Sequence, residues 1–252
     1  LHLLSRRQRQ MCIRDRTKTT RNSLILLLTA AIWGMAFVSQ SKGMDYMHPF
    51  TFNGVRSLIG AASILVYILI SRKIAGDKAA PLDWKLNVKA GLLCGIFLTI
   101  ASTLQQFGIK YTSVGKAGFI TTLYIIFVPM FGIFLKKKVA PVVWAAAVMA
   151  AVGMYLLCMT ESLRLGAGDI MVFLCAIAFA IQIMTVDHYA ARIDGAVVSC
   201  IQFTVCGVVC CIGALIWGQP TLGQLQEGLG ALLYAGVLSC GVGYTCLLYT
   251  SP

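Results

Sequence analysis

The sequence predicts an all-α polytopic membrane protein, and three observations carry that prediction. Hydrophobic residues make up 58% of the 252 positions and charged residues only 12%, against roughly 25% charged in an ordinary soluble domain. Mean hydropathy is +0.81. The apolar residues gather into eight runs of about 17–22 residues, close to the roughly 20 that a helix needs to cross about 30 Å of hydrocarbon at 1.5 Å per residue. The runs lack the period-two alternation of barrel strands. A surface this poor in charge excludes an ordinary cytosolic enzyme, a disordered chain and a collagen-like fibre.

Residues 1–22 form a basic segment with no apolar core of signal-peptide length before Ser23. The expected spans then follow as Ser23–Ser39, Pro49–Ile70, Ala90–Ile109, Ala117–Leu135, Val139–Met159, Ile170–Val186, Gly195–Gly218 and Leu229 to about Tyr249. Polar Asn53 and Arg56 interrupt the second, and Pro129 lies in the fourth. With the N-terminus inside, sixteen Lys and Arg fall in cytoplasmic segments, including Arg72, Lys73, Lys78, Lys136, Lys137, Lys138 and Arg192. Only Lys42, Lys110, Lys116 and Arg164 fall outside. Without residues 1–16 the asymmetry is still eleven to four, so the positive-inside rule gives a cytoplasmic N-terminus. The Lys136–Lys138 run fixes topology and touches anionic lipid.

The net charge of +12 is therefore read as membrane topology. With no basic stripe outside loops and the N-terminus, no nucleic-acid partner is expected. Ten cysteines include no CxxC pair, and nine sit inside apolar runs as small packing residues. Cys206, Cys210 and Cys211 share helical spacing but lack His or carboxylate companions, so no metal site, cofactor or disulfide framework is expected.

A weak internal similarity runs through the chain. At a shift of 146 residues Ala30, Trp33, Gly34 and Arg56 meet Ala176, Phe179, Ala180 and Gln202. At a shift of 140, Leu92, Leu93, Leu98 and Thr99 meet Leu232, Leu233, Leu238 and Ser239. Five helices in the first unit would start the second from the opposite face, the inverted repeat of many carriers. The units are residues 23–159 and 169–252, the second holding three helices of an expected five.

These features together resemble the drug/metabolite transporter superfamily, in its EamA-like branch. The resemblance rests on Ala31-Ile32-Trp33-Gly34-Met35-Ala36-Phe37, on Pro49 through Arg56, and on Gly108-Ile109-Lys110-Tyr111-Thr112-Ser113. The last runs into Lys116-Ala117-Gly118-Phe119-Ile120-Thr121 and on to Phe127-Val128-Pro129. It covers about Ser23 to Tyr244. It implies a ten-helix carrier with a central cavity between two halves, of which eight helices are present, for amino acids, sugars, other metabolites or drugs. An Arg at the place of Arg56 also fits the family pattern. The chain is expected to be truncated at its C-terminus. Met11-Cys12-Ile13-Arg14-Asp15-Arg16 and Leu247–Pro252 resemble translated sequencing adapter, so residues 1–16 and 246–252 are given no function.

Arg56 is the first candidate for substrate binding. It lies seven residues past Pro49, about 10 Å along the helix, where a charge costs at least roughly 2.5 kcal/mol unless paired or hydrated. Either it holds an anionic group in the cavity, or it snorkels to the interface or bonds a carbonyl. Gln105, Gln106, Gln182 and Gln202 can form a hydrogen-bonding cage or bond between helices. Trp33 and Tyr124 either line the cavity or pack the bundle. Lys110 and Lys116 either draw anions into an outward funnel or sit solvated in loops, and Pro129 is a hinge or a packing kink.

No acidic residue lies deep in a run, which argues against a carboxylate proton relay. His2, His48 and His188 are scattered, and no Ser/His/Asp arrangement, phosphate loop or metal motif is present. The expected function is therefore a carrier of small metabolites (amino acids, related metabolites or drugs) by alternating access, not an enzyme. A bacterial inner membrane is its expected place, with the lipid bilayer and a small-molecule substrate as partners. Because Arg56 alone is deep, amino acids or neutral metabolites are favoured over phosphate esters. A non-transporting scaffold or inactive fragment is the alternative, and a membrane-embedded enzyme a further one.

Overall fold

The computed structural model describes residues 2–76, 82–134, 141–158 and 166–246, without the side chains of 2–19, 154, 157 and 158. The expected Lys78, Lys136–Lys138, Arg164 and 247–252 features lie outside the described residues. Each expected apolar run is helical over its described part, apart from a one-residue break at Leu123. The elements are α1 His2–Tyr46, α2 Pro49–Ala75, α3 Trp84–Tyr111, α4 Val114–Thr122, α5 Tyr124–Phe134, α6 Pro141–Cys158 and α7 Ala167–Tyr189. They continue with α8 Gly195–Gly213, which runs on as π-type turns over Ala214–Gly218, the short α9 Leu222–Glu227, and α10 Leu229–Leu233. The last helix extends α10 through π-type turns over Tyr234–Gly243 to Cys246. Seven helical stretches among the described residues are long and apolar enough to cross a membrane, and α6 adds a shorter apolar one. The chain is an all-α, multi-pass membrane protein.

Side chains explain where helices begin. The Asp83 carboxylate accepts from Leu86 N at 3.1 Å, the Ser113 hydroxyl from Lys116 N at 3.3 Å, and Asp194 from the amides of Ala196 and Val197. Each satisfies first-turn N–H groups that have no intrahelical partner. His48 caps α2 ahead of Pro49, whose missing N–H costs nothing at that position. Gly76, at φ +53°, ends the same helix.

The helices of 23–159 pack against those of 166–246 through small residues. In lipid the gain comes from close contact rather than from removing apolar surface from water. A Cβ on Gly168 of α7 would lie 2.9 Å from the carbonyl oxygen of Gly108 on α3. A Cβ on Gly60 of α2 would lie 2.5 Å from Cβ of Cys240. The resulting core joins Ala61, Ile64, Leu98, Phe203, Cys206, Cys210 and Cys240. Long apolar side chains such as Leu69, Ile74, Val148 and Ile212 face outward instead. α1 lies along the last helix, with Trp33 Nε1 donating to Ser239 O at 3.3 Å and Tyr234 donating to Ile32 O at 3.2 Å.

Candidate functional site

The second helix carries a cation into this core. Arg56 is 6% exposed. Its Nε donates to Asn53 Oδ1 at 3.0 Å, and its guanidinium carbon stands 5.7 Å from the Phe52 ring. Asn53 is in turn held by α3 and α8: its amide nitrogen donates to Ser102 Oγ at 3.0 Å and to Cys210 Sγ at 3.2 Å. Ser57 donates to Cys206 Sγ at 3.5 Å. Ser102 bonds back to Leu98 O at 2.6 Å. The network orients the guanidinium through Nε and is built of amide, hydroxyl and thiol groups, with no carboxylate among them. Its terminal nitrogens have no protein partner among the described residues. Nor are they among the sealed unpartnered atoms, which are Asn22 Oδ1, Gln40 Oε1, Thr51 Oγ1 and Gln106 Oε1.

A cluster of aromatic rings joins α1, α8 and the last helix. Tyr244, on the last helix, lies within Coulombic reach of both Arg56 and Tyr124. Its ring is 4.7 Å from Phe203, edge to face, and 5.7 Å from Trp33. Gly243 permits the Trp33 approach, since a Cβ there would fall 2.7 Å from Trp33 Nε1. Cys175 of α7, which bonds Thr121, is also within reach of the Arg56 charge. Gln105 donates to Thr121 Oγ1 at 3.3 Å, which brings a polar edge from α3 and α4 to the same region.

Trp33 thus packs on Tyr244 and Gln105 bonds Thr121, while the remaining predicted residues have other partners. Gln182 donates to Gln202 Oε1 at 2.9 Å, a mutual α7–α8 bond. Gln106 donates to Gln40 O at 3.2 Å and ties α3 to α1. Lys110 sits 5.9 Å over the Tyr111 ring. Lys116 has a carboxylate partner, with Nζ 4.0 Å from Asp169 Oδ2. Asp169 is 4% exposed, accepts from Gly166 N at 2.9 Å and accepts from the Thr112 hydroxyl. Helix α5 continues through Pro129, and the break between α4 and α5 falls earlier, at Leu123. An apolar cavity of about 170 Å³ between α4, α5 and α6 contains none of the predicted residues.

Sequence reasoning missed Tyr244 as a site residue and Asp169 as a buried one. The spacing Tyr244-x-Cys246 carries no motif, and Asp169 reads as an ordinary helix-start residue. At the same end of the bundle, Phe50 N donates to His48 Nδ1 at 3.4 Å. Burial, and then the nearby Lys110 charge, hold the His48 pKa below 6.5. The neutral ring that can accept this bond is the favoured form.

Comparison with known proteins adds an independent line. The EamA-like transporter family profile matches residues 21–159 and 166–251. An uncharacterized transporter of Archaeoglobus fulgidus is 31% identical over 66% of this chain, a stretch spanning 48% of that protein. The chain thus covers about half the length of that relative. An uncharacterized transporter of Clostridium kluyveri is 25% identical over 89% of this chain and 75% of its own. The uncharacterized transporter YwfM of Bacillus subtilis is 26% identical over 90% and 74%. One solved crystal structure superposes with a TM-score of 0.67 over 92% of this chain and 79% of the other at 18% identity, a likeness of fold.

Proposed function

The chain belongs to the EamA-like transporter family, and from that premise we propose that it carries small metabolites across a membrane. Amino acids, related metabolites or drugs are the substrate range. The units are residues 23–159 and 169–252, which rock against each other to expose a shared site to either face. The N-terminus is cytoplasmic and the membrane is a bacterial inner membrane, a reading supported by the excess of Lys and Arg on one side and by the bacterial relatives.

One observation carries the reading: a buried cation stands where the two units meet, with its terminal nitrogens unpartnered. Arg56 comes from the first unit, and Cys206, Cys210 and Tyr244 around it come from the second. A site built from both units changes when they move, which is what alternating access requires. Ionisable residues inside a membrane are retained chiefly for such work.

The test is flux. Cells expressing the chain are compared with an empty-vector control for changes in extracellular metabolites. The compound found is then followed into proteoliposomes. Saturable flux that falls at least about tenfold in Arg56→Ala, with equal protein in the membrane, is the expected result. Absence of saturable flux for every compound tested overturns the reading.

A further inference from the structure

We propose that the Arg56 site selects a monocarboxylate with an apolar or aromatic body and no cationic group. The inference rests on the carrier reading above and narrows its substrate range to compounds without an ammonium group, which sets amino acids aside. Guanidinium presents five N–H donors in a planar fork. Asn53 Oδ1 occupies Nε, and Phe52 stands against the guanidinium. The edge left open is therefore the terminal pair of nitrogens, whose four N–H groups have no protein acceptor among the described residues. Two parallel N–H groups match the two oxygens of a carboxylate, the strongest and most directional pairing available to Arg.

Charge leads to the same class. The polar side chains of the network are amide, hydroxyl and thiol groups, with no carboxylate among them: Asn53, Ser57, Ser102, Cys206 and Cys210. Arg56 forms no ion pair with a described residue. A buried charge is strongly disfavoured unless it is paired, and no described carboxylate pairs with Arg56, which leaves the fork for a carboxylate of the ligand. A ligand ammonium would find no carboxylate there. The buried acid on α7, Asp169, is engaged by Thr112, Gly166 N and Lys116. The rest of the ligand would meet the ring cluster of Trp33, Phe203 and Tyr244, which suits an aromatic or aliphatic body. A zwitterion of the same shape leaves its ammonium unpaired against these rings and is rejected accordingly.

The experiment uses the purified chain in nanodiscs and four probes of one shape: phenylacetate, phenylacetamide, phenylalanine and phenethylamine. Thermal midpoint and tryptophan fluorescence are followed during titration. Phenylacetate is expected to raise the midpoint saturably, with phenylacetamide and phenylalanine each at least about tenfold weaker and phenethylamine without effect. In Arg56→Gln the preference for the carboxylate over the amide disappears, while Arg56→Lys keeps a reduced preference. If Arg56→Gln does not fold, the four-probe ranking on the unaltered chain decides alone. Equal binding of phenylacetate and phenylacetamide, tighter binding of phenylalanine, or no binding of phenylacetate overturns the inference. Metabolite flux without phenylacetate binding removes this ligand class and leaves the carrier reading intact. Phenylacetate binding without flux of any compound removes the carrier reading and leaves the site.

Discussion

Asn53 sets which edge of Arg56 is available. It accepts from Nε and passes its own amide protons to Ser102 and Cys210, so it links a charge on α2 to α3 and α8. Asn53→Ala removes the acceptor of Arg56 Nε and one partner each of Ser102 and Cys210. It is expected to destabilise the protein by about 1–3 kcal/mol, read as a lower thermal midpoint in detergent, with Ser102→Ala costing less. His48 gives a pH test. Its folded pKa lies below 6.5 because of burial and then Lys110, so the unfolded chain binds more protons between those two values. The His48 contribution to stability is therefore constant above about pH 6.5. It falls as the pH drops from there through the lowered folded pKa. His48→Asn keeps an α2 cap and is expected to flatten the thermal midpoint between pH 7.5 and 5.5. Arg56 was legible in the sequence because a lone charge in an apolar run is costly whatever surrounds it. Its surroundings were not: Ser102, Cys206, Cys210 and Tyr244 lie between about 46 and 188 residues away in the chain. None of them carries a local signal of pairing with Arg56.

Helix positions were legible for a reason that operates at the scale of the element: lipid demands a continuous apolar run of fixed length. The run expected over Gly195–Gly218 is the helical stretch observed, α8 with its π-type continuation. Departures from regular α-helix were not legible. The break at Leu123 and the π-type turns over Tyr234–Gly243 arise where one helix fits against another, and neighbouring residues do not announce them. Glycine shows the same division. Gly60 and Gly34 look alike in sequence, yet a Cβ at Gly60 would stand 2.5 Å from Cys240 Cβ while one at Gly34 would meet nothing within 4 Å. Gly60→Ala is expected to cost about 1–3 kcal/mol by forcing α2 from the last helix. Gly34→Ala is expected to gain up to about 1 kcal/mol from reduced backbone freedom. Opposite shifts of the thermal midpoint in the two variants check the packing directly.

For the whole molecule, two unequal fastenings join the helices before Cys158 to those after Gly166 at opposite ends. At the His48 end, Thr112 and Lys116 meet Asp169, a carboxylate only 4% exposed. At the other end, Arg72 meets Asp194 at 3.5 Å with side chains 38% and 39% exposed, and Asp194 N donates to Asn87 Oδ1. A pair as exposed as the second contributes about 0–1 kcal/mol. Breaking a buried pair by removing one partner typically costs about 3–5 kcal/mol. If the two units rock, the state closed at the His48 end is therefore the more populated one, because opening there must first free Asp169. The reporter is the thiol of Cys210, which bonds Asn53 beside Arg56. A membrane-impermeant maleimide is added from the His48 side, and modification of Cys210 is followed by mass spectrometry. Asp169→Asn is expected to raise the rate at least about tenfold, a shift of about 1.4 kcal/mol. Arg72→Ala is expected to change labelling from the opposite side by less than about fivefold, the limit for an exposed pair. Equal effects of the two variants would show that burial does not set the bias between the two ends, and that some other contact holds the His48 end closed.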